Sequence, residues 1–280
     1  MGLQYAKKSV CAARDILFCV GMLYLAEILG MMAGALVYEI LPQAAIAPYL
    51  YSVIRTLAYI LLLYGGMKLY EKKVLRMGSK KPERTSVHGV RVTLVFVLME
   101  LIYMVVTMAL VVFLCPGRWE TAPENQQVLP LFRTVLDFGI GAGVAEENVF
   151  RGTLRKALQK QFGFRGAVGI SSLIFGLFHV TNVTVPRQFL MTFFFTALLG
   201  LILCVVQYQA GTILAAMMFH ALWNIVFFGV ANTGSVKSVS AMATYVTSSP
   251  LADGIPLVTS ALMLLFLLKC LGKSVLFDTL

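Results

Sequence analysis

Three short segments hold the residues whose types and spacing could do chemistry. They read AEENVFRG at 145–152, FGLFHV at 175–180 and FHALWN at 219–224. Each sits inside a stretch that is otherwise apolar, where ionised groups are expensive to keep. Successive residues of a helix are about 100° apart, so Glu146 and Glu147 cannot point the same way. Glu147 and Arg151 are at i,i+4 and share a face, so they can pair and leave neither as an orphan charge. Glu146 is then free to face something else, on a strip with Gly139, Ala142 and Gly143. Phe175 with His179, and His220 with Asn224, repeat the i,i+4 spacing.

A carboxylate in a partly dry pocket is a better base than one in water. Glu146 and one histidine could hold and deprotonate a water that attacks a carbonyl. A second histidine and an amide side chain could donate to the oxyanion that forms. There is no GxSxG signature, and no cysteine has a histidine suitably placed, so water activation fits better than a covalent nucleophile.

These residues need elements to hold them. The 280-residue chain is 59% hydrophobic and only 13% charged, with mean hydropathy +0.83. That composition excludes an ordinary soluble domain and predicts an all-α, polytopic membrane protein. The apolar runs predict about eight transmembrane helices in one bundle, near 12–38, 46–70, 92–115, 131–155, 166–182, 187–207, 210–231 and 253–272. The chain divides into helices 1–3 with a basic loop (1–130), a core of helices 4–7 (131–231), and an outer loop with helix 8 (232–280). The stretch at 77–89 is the most loop-like.

The net charge of +10 does not point to nucleic acid, because no base-stacking or groove-reading motif accompanies it. Instead the cations mark topology. Lys7, Lys8 and Arg14, then Lys72, Lys73, Arg76, Lys80, Lys81, Arg84 and Arg91, then Arg155, Lys156, Lys160 and Arg165, then Lys269 and Lys273 all fall on one side of an eight-helix count. The other loops hold only Arg118, Arg187 and Lys237, with Arg133 at a helix edge. The positive-inside rule then puts both termini in the cytoplasm, at the plasma membrane if the source is bacterial. On that topology Glu146, His179 and His220 lie on the order of 13–20 Å below the cytoplasmic surface, at one level.

The other polar features have plainer readings. The five cysteines, among them Cys115, form no CxxC pair and read as small core residues. Phe175 reads as packing, and Gly139 with Gly143 as a close helix contact. Arg133 and Asp137 read as a local i,i+4 pair. Glu27, Arg55 and Glu100 either pair between helices or line a water-filled cavity. His88 reads as a solvated loop residue. The sequon at Asn182 hugs the membrane and reads as unused.

The ordered motifs resemble the CPBP family, which joins type II CAAX prenyl endopeptidases with bacterial bacteriocin-processing and immunity proteins of the Abi group. The shared pattern is a double glutamate with arginine four residues on, then FxxxH, then HxxxN. The resemblance covers about residues 131–231. It implies an intramembrane endopeptidase that cuts near the C-terminus of a membrane-associated protein or peptide, a prenylated CAAX protein being one candidate. Partners would be the lipid bilayer and that membrane-bound or lipidated substrate. By similarity Glu146 and His179 activate water, His220 and Asn224 form the oxyanion site, and Glu147, Arg151 and Phe175 support them. No cofactor is expected. If zinc were used instead, Glu146, His179 and His220 would bind it. The alternative readings are a non-catalytic or immunity protein of the same family, and a proton-coupled transporter.

Overall fold

Backbone groups have no water partners inside a bilayer, so apolar runs of this length must satisfy themselves as helices. The computed structural model describes residues 2–77, 87–114, 128–180, 186–232 and 250–270. The protein is an all-α polytopic membrane protein. Its helices are α1 (Gly2–Ile40), α2 (Ala47–Lys73), α3 (Val87–Leu114), α4 (128–162), α5 (164–179), α6 (Pro186–Ala210), α7 (Ile213–Asn232) and α8 (Pro250–Cys270). Among the described residues, five helices are long and apolar enough to cross a membrane and two more are shorter apolar helices. The stretch Val128–His179 counts once in that tally but folds into two rods. The expected positions at Lys80, Lys81, Arg84, Cys115, Arg118, Asn182, Lys237 and Lys273 lie outside the described residues, as does the side chain of His88.

Gly163 makes the fold in that stretch. Its φ of 72° lies in the left-handed region, which only glycine enters at little cost. The chain reverses there, and Phe175 returns to pack edge-on against Phe150 at 5.0 Å. α4 therefore runs further than expected, to 162 rather than 155. The amphipathic segment beyond Leu154 stays helical because Ala157 and Leu158 are buried, while Lys156 and Lys160 are exposed.

Two apolar cores hold the bundle. One joins α1, α2, α4 and α5 through Cys19, Leu23, Leu63, Val149, Phe150 and Phe175. The other joins α3, α6, α7 and α8 through Phe96, Met104, Leu203, Phe219, Trp223 and Met263. Large apolar side chains such as Leu61, Leu98, Val105 and Leu262 remain exposed on the outside, as a lipid-facing surface requires. Cys11, Cys19 and Cys204 are free thiols.

Polar clamps set the register at one end. Buried Asp15 accepts hydrogen bonds from Arg14, from Tyr70 Oη at 2.6 Å and from Gln161 Nε2 at 2.9 Å. Thr153 donates to Glu71 at 3.0 Å, and Lys160 to the Leu75 carbonyl at 2.9 Å. The start of α1 and the ends of α2 and α4 thus meet, and their cations gather at one end of the bundle.

The two cores meet where α4 touches α7. A side chain at Gly143 would lie 3.0 Å from the backbone of Ala221, so its absence lets the helices close. We expect Gly143→Val to cost ~1–3 kcal/mol of stability by overpacking. A lowered melting temperature in detergent would show it. Gly65→Ala, in open space, should leave that temperature unchanged or slightly raised.

Candidate active site

α4 is not a uniform α-helix. Residues Thr134–Ala142 and Asn148–Leu154 form wider π-helical turns on either side of Gly143–Glu147. Such turns insert an extra residue and re-aim the side chains beside them. Between them, both glutamates point into the protein: Glu146 is 8% exposed and Glu147 fully buried.

The local pair expected from spacing is present. Arg151 Nη1 donates to Glu147 Oε1 at 2.9 Å, with both side chains shielded from solvent. Arg151 does more than neutralise. Its Nη2 donates to the Gly200 carbonyl at 3.2 Å, and its guanidinium lies over the Phe175 ring at 4.3 Å. α6 can present that carbonyl because Gly200 packs directly on Ser172, with room for no side chain of its own. Phe175 is therefore packing, as expected, and also a platform for the buried cation.

Both histidines arrive at Glu146. His179 Nε2 is 3.6 Å and His220 Nε2 4.0 Å from Glu146 Oε2. The opposite ring nitrogens decide the tautomers. His179 Nδ1 donates to the Phe175 carbonyl at 2.8 Å, and His220 Nδ1 donates to Glu147 Oε1 at 2.9 Å. Those oxygens only accept, so each Nδ1 carries hydrogen and each Nε2 faces Glu146. The bond from His220 to Glu147 was not foreseen, since it depends on how α7 is turned against α4.

Asn224 lies one turn beyond His220 on α7. Its Nδ2 donates to the Phe138 carbonyl at 2.8 Å, which ties α7 to the π-helical part of α4. One amide hydrogen remains for another acceptor.

Zinc is chemically compatible with imidazole and carboxylate donors. However, two donors of a tetrahedral zinc lie about 3.3 Å apart when each is ~2.0–2.1 Å from the metal. The separations of 3.6 and 4.0 Å are wider, and no metal-binding group of three or more His, Cys, Asp or Glu occurs among the described residues. A zinc held by Glu146, His179 and His220 would draw these donors together by less than about 1 Å.

One reading of a buried charge needs correction. Asp137 does not pair with Arg133. It accepts from Arg55 Nη1 at 3.3 Å and from Thr56 Oγ1 at 2.7 Å, while Arg133 lies over the Tyr51 ring. α2 packs so closely on α4 that Arg55 reaches Asp137 first. Arg55 also binds Glu27 at 3.1 Å, but Glu100 does not join them and is buried on α3.

Residues 128–226 match the family described as type II CAAX prenyl endopeptidase Rce1-like. That segment is similar to this family. It holds Glu146, Glu147, Arg151, Phe175, His179, His220 and Asn224, and it begins where α4 begins. The CAAX-protease-like segment leaves out α1, α2 and α3. No curated protein matches the chain.

Removing Arg151 would strand the buried Glu147 carboxylate. We expect Arg151→Ala to cost ~3–5 kcal/mol, measured as a large fall in melting temperature or loss of monodisperse protein. Arg151→Lys should rescue only part, because an ammonium cannot serve Glu147, Gly200 and Phe175 together.

Proposed function

We propose that the protein is an intramembrane endopeptidase that hydrolyses a peptide bond near the C-terminus of a membrane-associated, prenylated protein or peptide. The observation that carries this reading is the convergence of two imidazole Nε2 atoms on one carboxylate oxygen. The match of residues 128–226 to a family of prenyl endopeptidases supports it. The cations gathered at the start of α1 and the ends of α2 and α4 support a topology with both termini in the cytoplasm.

Charge balance assigns the roles. Glu146 and Glu147 contribute two negative charges, and Arg151 one positive charge. A protonated His220, backed by Glu147, completes a neutral set, which a low-dielectric site requires. His179 stays neutral with an accepting Nε2, because its Nδ1 hydrogen is committed to a backbone carbonyl.

A water between Glu146 Oε2 and His179 Nε2 then gives up its proton to the carboxylate as it attacks the scissile carbonyl. His220 Nε2–H and the remaining Asn224 amide hydrogen donate to the oxyanion. Glu146 returns the proton to the leaving amine. Glu147 and Arg151 act as positioning residues, and no metal takes part.

The test is cleavage of a prenylated C-terminal peptide by purified protein. General-base catalysis contributes roughly 10²–10⁴-fold, so Glu146→Gln and His179→Ala should lose at least that much turnover while keeping the wild-type melting temperature. Undiminished cleavage by Glu146→Gln would overturn the assignment. A strong zinc chelator should leave the rate unchanged. Loss of activity that added zinc restores would instead make Glu146, His179 and His220 metal ligands.

A further inference from the structure

A second charged cluster lies beside the site, built mostly from helices outside the family-matched segment. Arg55 on α2 holds Asp137 of α4 through Nη1 and Glu27 of α1 through Nη2. The two carboxylates are not equivalent. Asp137 has a side chain only 7% exposed and is also fixed by Thr56. Glu27 has a side chain 40% exposed and a single bond to Arg55. A carboxylate so uncovered inside a membrane span must face a wet space rather than lipid.

The cluster lies along the same helix as the catalytic glutamates. α2 and α4 run parallel, with Glu71 beside Thr153 and Arg55 beside Asp137, the same number of residues along each helix. Asp137 precedes Glu146 by nine residues, which is about 13 Å along a helix axis. Tyr59, four residues on from Arg55, packs on the core that contains Ala145 and Phe175. An extended peptide covers ~3.3–3.6 Å per residue, so three or four residues bridge from Glu146 to Arg55.

We propose that Arg55 binds the C-terminal carboxylate of the peptide substrate, and that Glu27 occupies this place until substrate arrives. The inference rests on the peptidase reading and names how that site measures its substrate. A guanidinium takes a carboxylate through two parallel hydrogen bonds. Asp137 and Thr56 hold Arg55 in position, and Glu27 yields into the wet space. The substrate carboxylate takes over the pairing with Arg55, and Glu27 is the one displaced because it is the more exposed of the two acids. Cleavage then falls a fixed three or four residues from the free terminus.

The test compares two prenylated peptides, identical except for a free carboxylate or a carboxamide at the C-terminus, with the full chain in nanodiscs. Wild type should prefer the acid by roughly tenfold or more in kcat/KM, as a charged hydrogen-bonded pair implies. Arg55→Gln should bring the ratio near one. Glu27→Gln, which leaves the Arg55–Asp137 pair in place, should lower KM for the acid several-fold and not for the amide. Equal cleavage of both peptides by wild type, or an acid preference that survives in Arg55→Gln, sinks this inference and leaves the peptidase standing. If wild type cleaves neither peptide, the proposed function has failed, and binding to Glu146→Ala protein decides the matter. Selective binding of the acid that Arg55→Gln abolishes would support the carboxylate site alone, and unselective binding would overturn it as well.

Discussion

A carboxylate with no solvent contact must be balanced by its neighbours or it will not stay ionised. Glu147 is that carboxylate, and much of the structure follows from how it is balanced. Arg151 and His220 donate to the same oxygen, Oε1. Through Arg151 the charge reaches the backbone of α6 at Gly200 and the ring of Phe175 on α5. Through His220 it reaches α7. One buried anion thus connects four helices, and the histidine it orients is one of the two that face Glu146. Glu147 Oε1 is taken by Arg151 and His220, and Glu146 is the carboxylate that faces the Nε2 atoms of both histidines.

Such a network demands close helix approach, and small residues provide it. Gly143 lies on Ala221 and Gly200 on Ser172, so α7 and α6 come near enough for His220 and the Gly200 carbonyl to reach their partners. In a bilayer this packing matters more than in water, since no hydrophobic force drives apolar helices together. The π-helical turns around Gly143–Glu147 fit the same picture. They expose the Phe138 carbonyl region to Asn224 and aim both glutamates inward.

What the amino-acid sequence reveals divides along a physical line. Helix class, helix number and the Glu147–Arg151 pair follow from local periodicity, because residues four apart on a helix are neighbours whatever surrounds them. The ordered glutamate and histidine motifs narrowed the site to the residues that the fold brings together. The bond between His220 and Glu147 was beyond reach, since nothing local sets how one helix is rotated against another. The same limit explains Asp137. Its i,i+4 neighbour Arg133 was the local choice, but Arg55 arrives from α2 with a better-placed guanidinium. Asp15, the anchor for Tyr70 and Gln161, carried no local signal at all. The end of α4 was misplaced because apolar composition fades at 155 while burial of Leu158 continues.

The division between matched and unmatched helices has a physical reason too. The proposed water activation needs a small set of groups held close together, and Glu146, His179 and His220 come from α4, α5 and α7. The proposed carboxylate site lies further away, where α1 and α2 bring Glu27 and Arg55 to the flank of α4. Polar pairs at two points, Glu71 with Thr153 and Arg55 with Asp137, lock α2 to α4 in a single register. A slide of one turn would break both pairs in a medium that offers no water to replace them. The two N-terminal helices therefore serve as a fixed wall, and the distance from Glu146 to Arg55 is set by backbone geometry rather than by a flexible loop.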